Sequence, residues 1–309
     1  MGALLTRIRV LRTLPPRLCL LLLVSLLSLP LHAAEIVLTA AEDSAGVQAF
    51  TRALAERRPG DSVRFVMLHT LPTPSALVGG TRLILLDLPS LDWRLQDDQG
   101  PSTLVLRVSR LQAHQRLGNR QPAHLSLLWS DPSLDRQLRL THALLPQAKR
   151  VGVLYGKHSE FLLKELLPAA HRLGLQINAQ RWDDTHDSRP LQALLSVSDV
   201  LLGLNDPALY NPMTVKNLLL SSYGQQLALI GPNAGFVKAG SLASTYSDQD
   251  DWLAVLDRLL DLPQASWPRS LYPSRFKVTS NPQVARSLGI EQMAPAAVAA
   301  QLAAGEEPL

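Results

Sequence analysis

Short apolar runs alternate with amphipathic stretches along most of this chain. The runs hold mainly Val, Ile and Leu, which is typical of strands that are buried on both faces of a parallel sheet. The stretches between them carry apolar residues three or four positions apart, the spacing of an amphipathic helix. The alternation predicts repeated βαβ units and an α/β protein.

The pattern also predicts where these elements lie. Strands are predicted at 36–38, 63–68, 83–86, 104–108, 124–129, 150–155, 175–180, 200–204, 227–230 and 241–245. Helices are predicted at 44–57, 159–173, 190–196 and 250–262, with another opened by Asn211-Pro212. Ser130-Asp131-Pro132 is predicted to start a further helix by capping, which runs to Leu145 before Pro146. The Ala-rich stretch 294–309 is predicted to be a frayed tail.

The N-terminus has the three parts of a secretory signal peptide. A positive region comes first, with no acidic residue before Glu35, and contains Arg7, Arg9, Arg12 and Arg17. The mostly apolar run 18–29 follows, too short for a bilayer span of about 20 residues. Pro30 and the small residues Ala33-Ala34 then fit a cleavage site. We predict a cleaved signal peptide over 1–33 and a soluble periplasmic protein, with an uncleaved membrane anchor as the alternative.

Removal of this segment changes the charge and the cysteine content. The chain has a formal net charge of +4, and four arginines lie in the signal, so the remainder is formally neutral. No run of like charges remains to indicate nucleic-acid binding. The only cysteine, Cys19, also leaves, so disulfides and thiol chemistry are excluded. Stability must come from a large core, which a chain of this length provides most naturally as two lobes.

Four segments follow one another in the second half of the chain: 137–155, 199–206, 237–247 and 276–290. The first joins a helix ending in Leu-Pro-x-Ala-Lys to an Arg-Val-Gly-Val-Leu-Tyr strand, and the last contains Asn281 and an Ala-x-x-Leu-Gly-Ile helix. Together they resemble a substrate-binding-protein family of ABC transporters, of the tryptophan or aromatic-amino-acid-binding type, which has the type I periplasmic-binding-protein fold.

The resemblance covers roughly 123–293 and implies two Rossmann-like lobes with parallel sheets joined by a hinge. The expected boundaries are an N-terminal lobe at 34–148, a C-terminal lobe at 149–270 and a terminal segment at 271–309 that packs near the hinge. The first lobe departs from the family, because Asp87-Leu88-Pro89-Ser90 replaces a Gly-Thr or Gly-Ser turn. In addition, Ser109-Arg110 follows the next strand where the family has Asp-Pro.

Polar or aromatic residues that follow predicted strands are the candidates for a ligand site: Ser90 in the first lobe and Tyr155, Asn205, Asp206 and Thr245 in the second. Open α/β sheets bind ligands at the carboxyl ends of their strands, where helix N-termini and free amides converge. Asp206 either pairs with a ligand ammonium or forms an Asx turn before Pro207. Its loop is expected to be solvated when no ligand is bound.

Motifs of catalysis are missing where the sequence would reveal them. Gly152-x-x-x-Gly156-Lys157 has the wrong spacing for a phosphate loop, and neither Gly-x-Ser-x-Gly nor His-Glu-x-x-His occurs. The stretch 182–187 offers carboxylates and an imidazole, but without metal-ligand spacing it is interpreted as a solvated loop. We therefore predict a non-enzymatic protein with no catalytic residue, metal or cofactor.

Two classes of function remain open at this point. The first is a monomeric periplasmic solute-binding component of an ABC transporter, which binds a small polar or amino-acid-like ligand and delivers it to an ABC permease. The second is a degenerate binding-protein-like module that interacts with a membrane sensor or receptor. An intact family turn in the first lobe would favour transport, whereas its replacement by Asp87-Leu88-Pro89 favours the interaction module.

Overall fold

The computed structural model describes residues 34–306, so the predicted signal peptide at 1–33 lies outside the described residues. From Glu35 onward the chain forms one compact unit that contains two six-stranded sheets. No helix in the part that the structure describes is both long and apolar enough to cross a membrane.

Strands and helices alternate along the chain as the apolar pattern predicts. The strands are β1 (Glu35–Ala40), β2 (Ser62–Met67), β3 (Arg82–Leu85), β4 (Thr103–Val108), β5 (Leu125–Trp129), β6 (Arg150–Tyr155), β7 (Gln176–Arg181), β8 (Val200–Leu202), β9 (Ala228–Ile230), β10 (Ala243–Tyr246), β11 (Ser270–Leu271) and β12 (Lys277–Ser280). The helices are α1 (Ala45–Arg57), α2 (Leu88–Arg94), α3 (Arg110–Leu117), α4 (Leu134–Leu144), α5 (Leu163–Arg172), α6 (Arg189–Ser196), α7 (Val215–Gly224), α8 (Ala234–Ala239), α9 (Gln249–Asp261), α10 (Pro282–Ser287) and α11 (Pro295–Ala304).

Each lobe is built on one of the two sheets. The first sheet has the strand order β11-β5-β4-β3-β1-β2, and the second has the order β12-β10-β9-β8-β6-β7. Neighbouring strands run parallel except β12, which pairs antiparallel with β10. Helices α1 and α9 bury apolar side chains against one face of the first sheet, while α2 and α3 cover the other. The predicted fold class, two Rossmann-like α/β lobes, is confirmed.

The chain passes between the lobes three times, and this corrects the predicted lobe boundaries. Helix α4, expected within the first lobe at 34–148, buries Leu134 and Leu138 in the core of the second lobe. Helix α9, expected within the second lobe at 149–270, buries Leu253 and Leu256 in the core of the first. Strand β11 then joins the first sheet and β12 the second. The lobes therefore exchange segments, because each crossing helix buries its apolar face in the lobe it enters.

The C-terminal region is more ordered than the sequence predicted. Residues expected to fray form α11, which begins at Pro295 and buries Val298 and Leu302 in the second core. Glu306, just beyond it, accepts hydrogen bonds from Arg136 at 2.5 and 2.8 Å. The prediction of a frayed tail is wrong for this part, because its apolar residues have the helical spacing to pack against the lobe.

The glycine of the Arg-Val-Gly-Val-Leu-Tyr strand has a packing role in β6. A Cβ atom at Gly152 would lie 2.5 Å from Ser198 Oγ and 2.8 Å from Leu201 Cδ2. Any larger residue would push β6 away from its neighbours. This glycine lets the chain after α6 and strand β8 lie directly against β6.

Candidate functional site

Residues that follow β4 in the first lobe contact residues that follow β6 in the second. Arg110 donates hydrogen bonds to Glu165 of α5 and, at 3.2 Å, to the hydroxyl of Tyr272. The His114 ring stacks on Phe161 with a centroid separation of 3.9 Å. We call this group, together with Asp131, the interlobe cluster: Arg110, His114, Asp131, Phe161, Glu165 and Tyr272.

A backbone irregularity at the end of β4 positions Arg110. The register of β4 against β5 shifts between Val105 and Val108, and Arg107 in that interval has a φ of 59°. Few residues other than glycine adopt this left-handed conformation, which stores strain and is found near functional sites. Ser109 then caps α3 in a reciprocal capping box with Gln112. The bulge and the cap together hold Arg110 at the first position of α3.

Arg110 is the central cation of the interlobe cluster. Its guanidinium lies 5.8 Å from the ring centroid of Trp129 and 5.9 Å from that of Phe161, within cation–π range. Burial lowers the pKa of Arg110, but the charges and hydrogen bonds of Tyr272 and Glu165 outweigh burial and raise it overall. The arginine therefore stays charged and links the lobes through the Glu165 carboxylate and the Phe161 ring.

Asp131 is a buried carboxylate at the first crossing between the lobes. It is 9% exposed and accepts a hydrogen bond of 3.0 Å from the backbone N–H of Arg110. Burial raises the pKa of Asp131 to about 6, although the Arg110 amide and charge oppose this shift. The predicted capping of α4 at 130–132 is wrong, since α4 begins after Ser133 and Asp131 binds α3 instead. A buried carboxyl whose pKa is raised in this way is common at functional sites.

Ser90, the predicted contact from the first lobe, is fully buried in α2. Its N–H donates to the Asp87 carboxylate at 2.9 Å, and its hydroxyl donates to the same group. Asp87 also accepts from the N–H of Ala41, after β1, at 2.6 Å. The Asp87 carboxylate thus occupies backbone amides after β1 and β3, and the polar groups of Ser90 are used within the first lobe.

Thr245 is buried beneath the crossing helix α4. Its N–H and its hydroxyl each donate to Oε1 of Gln137 at 3.0 Å. Nε2 of Gln137 donates to the Gly231 carbonyl at 2.9 Å and to Ser244 at 3.1 Å. The N–H and the hydroxyl proton of Thr245 are therefore both used by α4, and this residue joins the crossing helix to β10.

Asp206 lies in a buried network, so the expectation of a solvated loop is wrong. It is 2% exposed and accepts hydrogen bonds from the Ser159 hydroxyl at 2.6 Å and from the Ala208 N–H at 3.0 Å. The bond to Ala208 is the Asx-turn geometry that the sequence left open. The bond to Ser159 ties the loop after β8 to the loop after β6.

Replacing Asp206 by alanine is expected to lower the free energy of unfolding by about 2 kcal/mol, because the buried Ser159 hydroxyl and the Ala208 N–H lose their acceptor. Ser159 has a second acceptor, the Gly156 carbonyl at 3.4 Å, which limits the loss. Urea unfolding followed by circular dichroism measures the change. Asp206→Asn, which keeps an acceptor oxygen, is the control and should lie close to the wild type. An unchanged midpoint for Asp206→Ala would contradict the structural role.

Tyr155 and Asn205 remain available at the carboxyl edge of the second sheet. Tyr155 ends β6 and Asn205 follows β8, its neighbour in the sheet. Both are partly exposed, and neither side chain forms a hydrogen bond to any of residues 34–306. The structure thus brings Tyr155, Asn205 and Asp206 to adjacent strand ends, and leaves the first two free to contact a ligand.

Sequence reasoning missed most of the interlobe cluster. Arg110 had a signal, because Ser109-Arg110 follows an apolar strand at the position where the family has Asp-Pro. Phe161 and Glu165 had no such signal in the sequence, since they belong to an ordinary amphipathic stretch. Their role follows only from the contact that the two lobes make.

The polar stretch 182–187 is occupied by ion pairs. Asp183 pairs with Arg181 at 2.6 Å, and Asp187 pairs with Arg189 at 2.8 Å. Trp182 is buried, with its indole N–H donating to the Asp187 carbonyl at 2.7 Å. Within residues 34–306 no group of three or more His, Cys, Asp or Glu side chains is arranged to hold a metal ion.

Solved structures of similar fold are known. A substrate-binding protein with adhesive properties from Clostridium difficile, in its ligand-free open form, matches with a TM-score of 0.61 and 18% identity over 84% of this chain and 96% of that one. A conserved domain protein from Vibrio cholerae O1 biovar El Tor matches with a TM-score of 0.54 and 16% identity over 87% and 98% of the two chains. The ABC domain from Streptococcus pneumoniae in complex with L-Trp matches with a TM-score of 0.53 and 15% identity over 84% and 95%.

No protein-family model and no curated protein matches the chain. The structural similarity, which spans nearly the whole length of each matched protein, concerns the fold. With the two parallel-dominated sheets and the exchanged segments, it defines a two-lobed α/β protein of the type I periplasmic-binding-protein-like class.

Proposed function

We propose that this protein is the periplasmic solute-binding component of an ABC transporter and binds a small polar or amino-acid-like ligand between its lobes. The interlobe cluster carries the proposal, because charged and aromatic residues in the helices that follow β4 and β6 meet across the two lobes. A ligand held there would bridge the lobes and favour their closure about the hinge. The L-Trp complex of the Streptococcus protein supports a ligand of this class.

Tyr155 and Asn205 are the residues that we assign to ligand contact, since both are partly exposed at neighbouring strand ends. Ser90, Asp206 and Thr245 keep supporting roles, because their polar groups are used within the lobes. After removal of the signal peptide at 1–33, the mature protein would act as a monomer and dock on an ABC permease without a metal, a cofactor or nucleic acid.

A specific observation favours the alternative, an interaction module for a membrane sensor or receptor. Three helices that follow strands of the first sheet are capped by their own side chains: α1 by Ser44, α2 by Asp87 and α3 by Ser109. These caps occupy amides that could otherwise bind an anionic ligand group. A first lobe whose helix-start amides are already occupied is better suited to a fixed contact with a partner protein than to the capture of an anionic ligand.

Native mass spectrometry of the periplasmic protein, with N-terminal sequencing, tests the proposal. We expect a mature chain that begins near Ala34 and a small molecule that copurifies with it. In calorimetry with that compound, Asn205→Ala should weaken binding at least tenfold, roughly the loss of one or two ligand hydrogen bonds. Asn217→Ala, at an exposed asparagine of α7, is the matched control and should bind like the wild type.

Different outcomes separate the two functions. A wild-type protein that carries no small molecule and binds none from a pool of amino acids, nucleosides and organic acids would contradict transport. Specific capture of an inner-membrane sensor by that same protein would then establish the alternative. Equal affinities of Asn205→Ala and the wild type would remove Asn205 from the ligand site.

A further inference from the structure

A cavity of about 390 Å³ lies on the flank of the first lobe, beside the interlobe cluster. Helix α3, strand β5, the loop 118–122 and the Arg269-Ser270 pair at the start of β11 bound it, and Phe161 of the second lobe closes one end. Its volume falls within the range of small-molecule sites. We call it the flank cavity.

The inner wall of the flank cavity is apolar. Leu117 of α3 and Leu125 and Leu127 of β5 are buried side chains that face it. Trp129 and Phe161 add aromatic surface where the wall meets the second lobe. A hydrocarbon or aromatic group placed against this wall would leave water and gain contacts with both rings.

The rim of the flank cavity is cationic and carries no acidic side chain. Arg120 donates to the carbonyls of Leu117 and Arg116, both at 3.3 Å, and Arg269 donates to carbonyls of the 118–122 loop and its neighbour. Neither guanidinium has a carboxylate partner among residues 34–306. Arg110, the third arginine of the wall, is already paired with Glu165. Two positive charges at the rim are thus left without a balancing anion.

We propose that the flank cavity binds an amphipathic organic carboxylate, with its head between Arg120 and Arg269 and its apolar body against the leucine and tryptophan wall. Guanidinium groups bind carboxylates through charge-assisted hydrogen bonds, often in pairs. A ligand that also carries an ammonium group is disfavoured, because no acidic wall residue would compensate its desolvation. The flank cavity shares Arg110, His114 and Phe161 with the interlobe cluster. Its carboxylate head would nevertheless be held by Arg120 and Arg269 rather than by Tyr155 or Asn205, and the proposal does not depend on the transport function.

The contribution of Phe161 links this site to the contact between the lobes. Its ring stacks on His114 of α3, so this end of the flank cavity is complete only while the lobes touch. A bound carboxylate therefore favours the arrangement in which the interlobe cluster is formed.

Isothermal calorimetry on the full mature protein with phenylpropionate, phenylpropionamide, phenylalanine and inorganic phosphate tests the proposal. We expect saturable binding of phenylpropionate. The amide lacks the charge, phenylalanine adds an unpaired ammonium and phosphate lacks an apolar body, so each should bind at least tenfold more weakly. Equal binding of the amide or of phosphate, or no binding of phenylpropionate, would overturn the proposal.

Matched variants locate the binding site. Arg120→Gln with Arg269→Gln should weaken phenylpropionate binding at least tenfold. Arg52→Gln with Arg286→Gln removes two exposed charges elsewhere, on α1 and α10, and should bind like the wild type. Asn205→Ala should also leave this affinity unchanged. Loss of phenylpropionate binding in Asn205→Ala would place the carboxylate at the ligand position between the lobes and overturn the proposal. Equal losses of affinity in the two double-arginine variants would mean that net charge alone attracts phenylpropionate, and would overturn it as well.

Discussion

Replacing Gln137 by alanine is expected to lower the free energy of unfolding by about 4 kcal/mol, the largest loss among the substitutions considered. Gln137 is 2% exposed, and its amide makes four hydrogen bonds that join α4 to the ends of β9 and β10. Alanine leaves the Gly231 carbonyl and the Thr245 N–H buried without this partner. Urea unfolding at neutral pH, followed by circular dichroism, measures the loss.

Two further variants make the Gln137 result decisive. Thr245→Val removes only the hydroxyl bond and should cost about 1 kcal/mol, which stays measurable if Gln137→Ala does not fold. Gln192→Ala removes an exposed amide that bonds Ser221 and Gln225 on the surface, and should change stability by less than about 0.5 kcal/mol. A Gln137→Ala protein whose free energy of unfolding lies within about 1 kcal/mol of the wild type would contradict a stabilising role for these four hydrogen bonds.

Replacing Asp131 by asparagine is expected to stabilise the protein above pH 6 and to leave it nearly unchanged near pH 4. Burial raises the pKa of Asp131 from 3.8 to about 6. The folded protein therefore keeps this proton after the unfolded chain has lost it, and the wild type loses stability as the pH rises between these two values. The shift corresponds to about 3 kcal/mol when the carboxylate is fully ionised. Asparagine has no such ionisation and still accepts from the Arg110 amide.

Chemical unfolding of Asp131→Asn and the wild type at intervals from pH 4 to 8 gives the difference between them. That difference should grow between pH 4 and 6 and then stay constant. Gln192→Ala, which changes no ionisable group, is the control and should differ from the wild type by the same amount at every pH. If the free energies of unfolding of Asp131→Asn and the wild type change with pH in parallel, the ionisation of Asp131 next to Arg110 does not destabilise the folded protein, and the prediction is wrong.

The contact between the lobes gives this titration a structural consequence. Asp131 lies close enough to Arg110, Glu165 and Tyr272 for the charges of these groups to act on one another. Ionisation of Asp131 adds a negative charge beside a cation that already pairs with Glu165. We therefore expect the interlobe contact to change in strength as the pH rises through the pKa of Asp131.

The local elements were determined by the sequence itself. Strand β6 has the predicted bounds of 150–155, and α1 begins after Ser44, whose hydroxyl accepts from the Val47 N–H at 3.2 Å. Strands covered on both faces must be apolar, and a helix start needs an acceptor for its free amides. Both requirements concern residues close together in the chain, so they are visible without the structure.

The tertiary structure alone decided which lobe each crossing helix enters and which polar residues stay free. An amphipathic helix such as α9 needs an apolar partner, but its pattern does not say which sheet supplies it. Thr245, Asp206 and Ser90 follow strands as predicted, yet Gln137, Ser159 and Asp87 reach them and use their polar groups. Arg110 meets Glu165 across 55 positions of sequence. Hydrogen bonds and ion pairs between distant residues depend on how the lobes fold onto one another, and no local pattern in the chain records them.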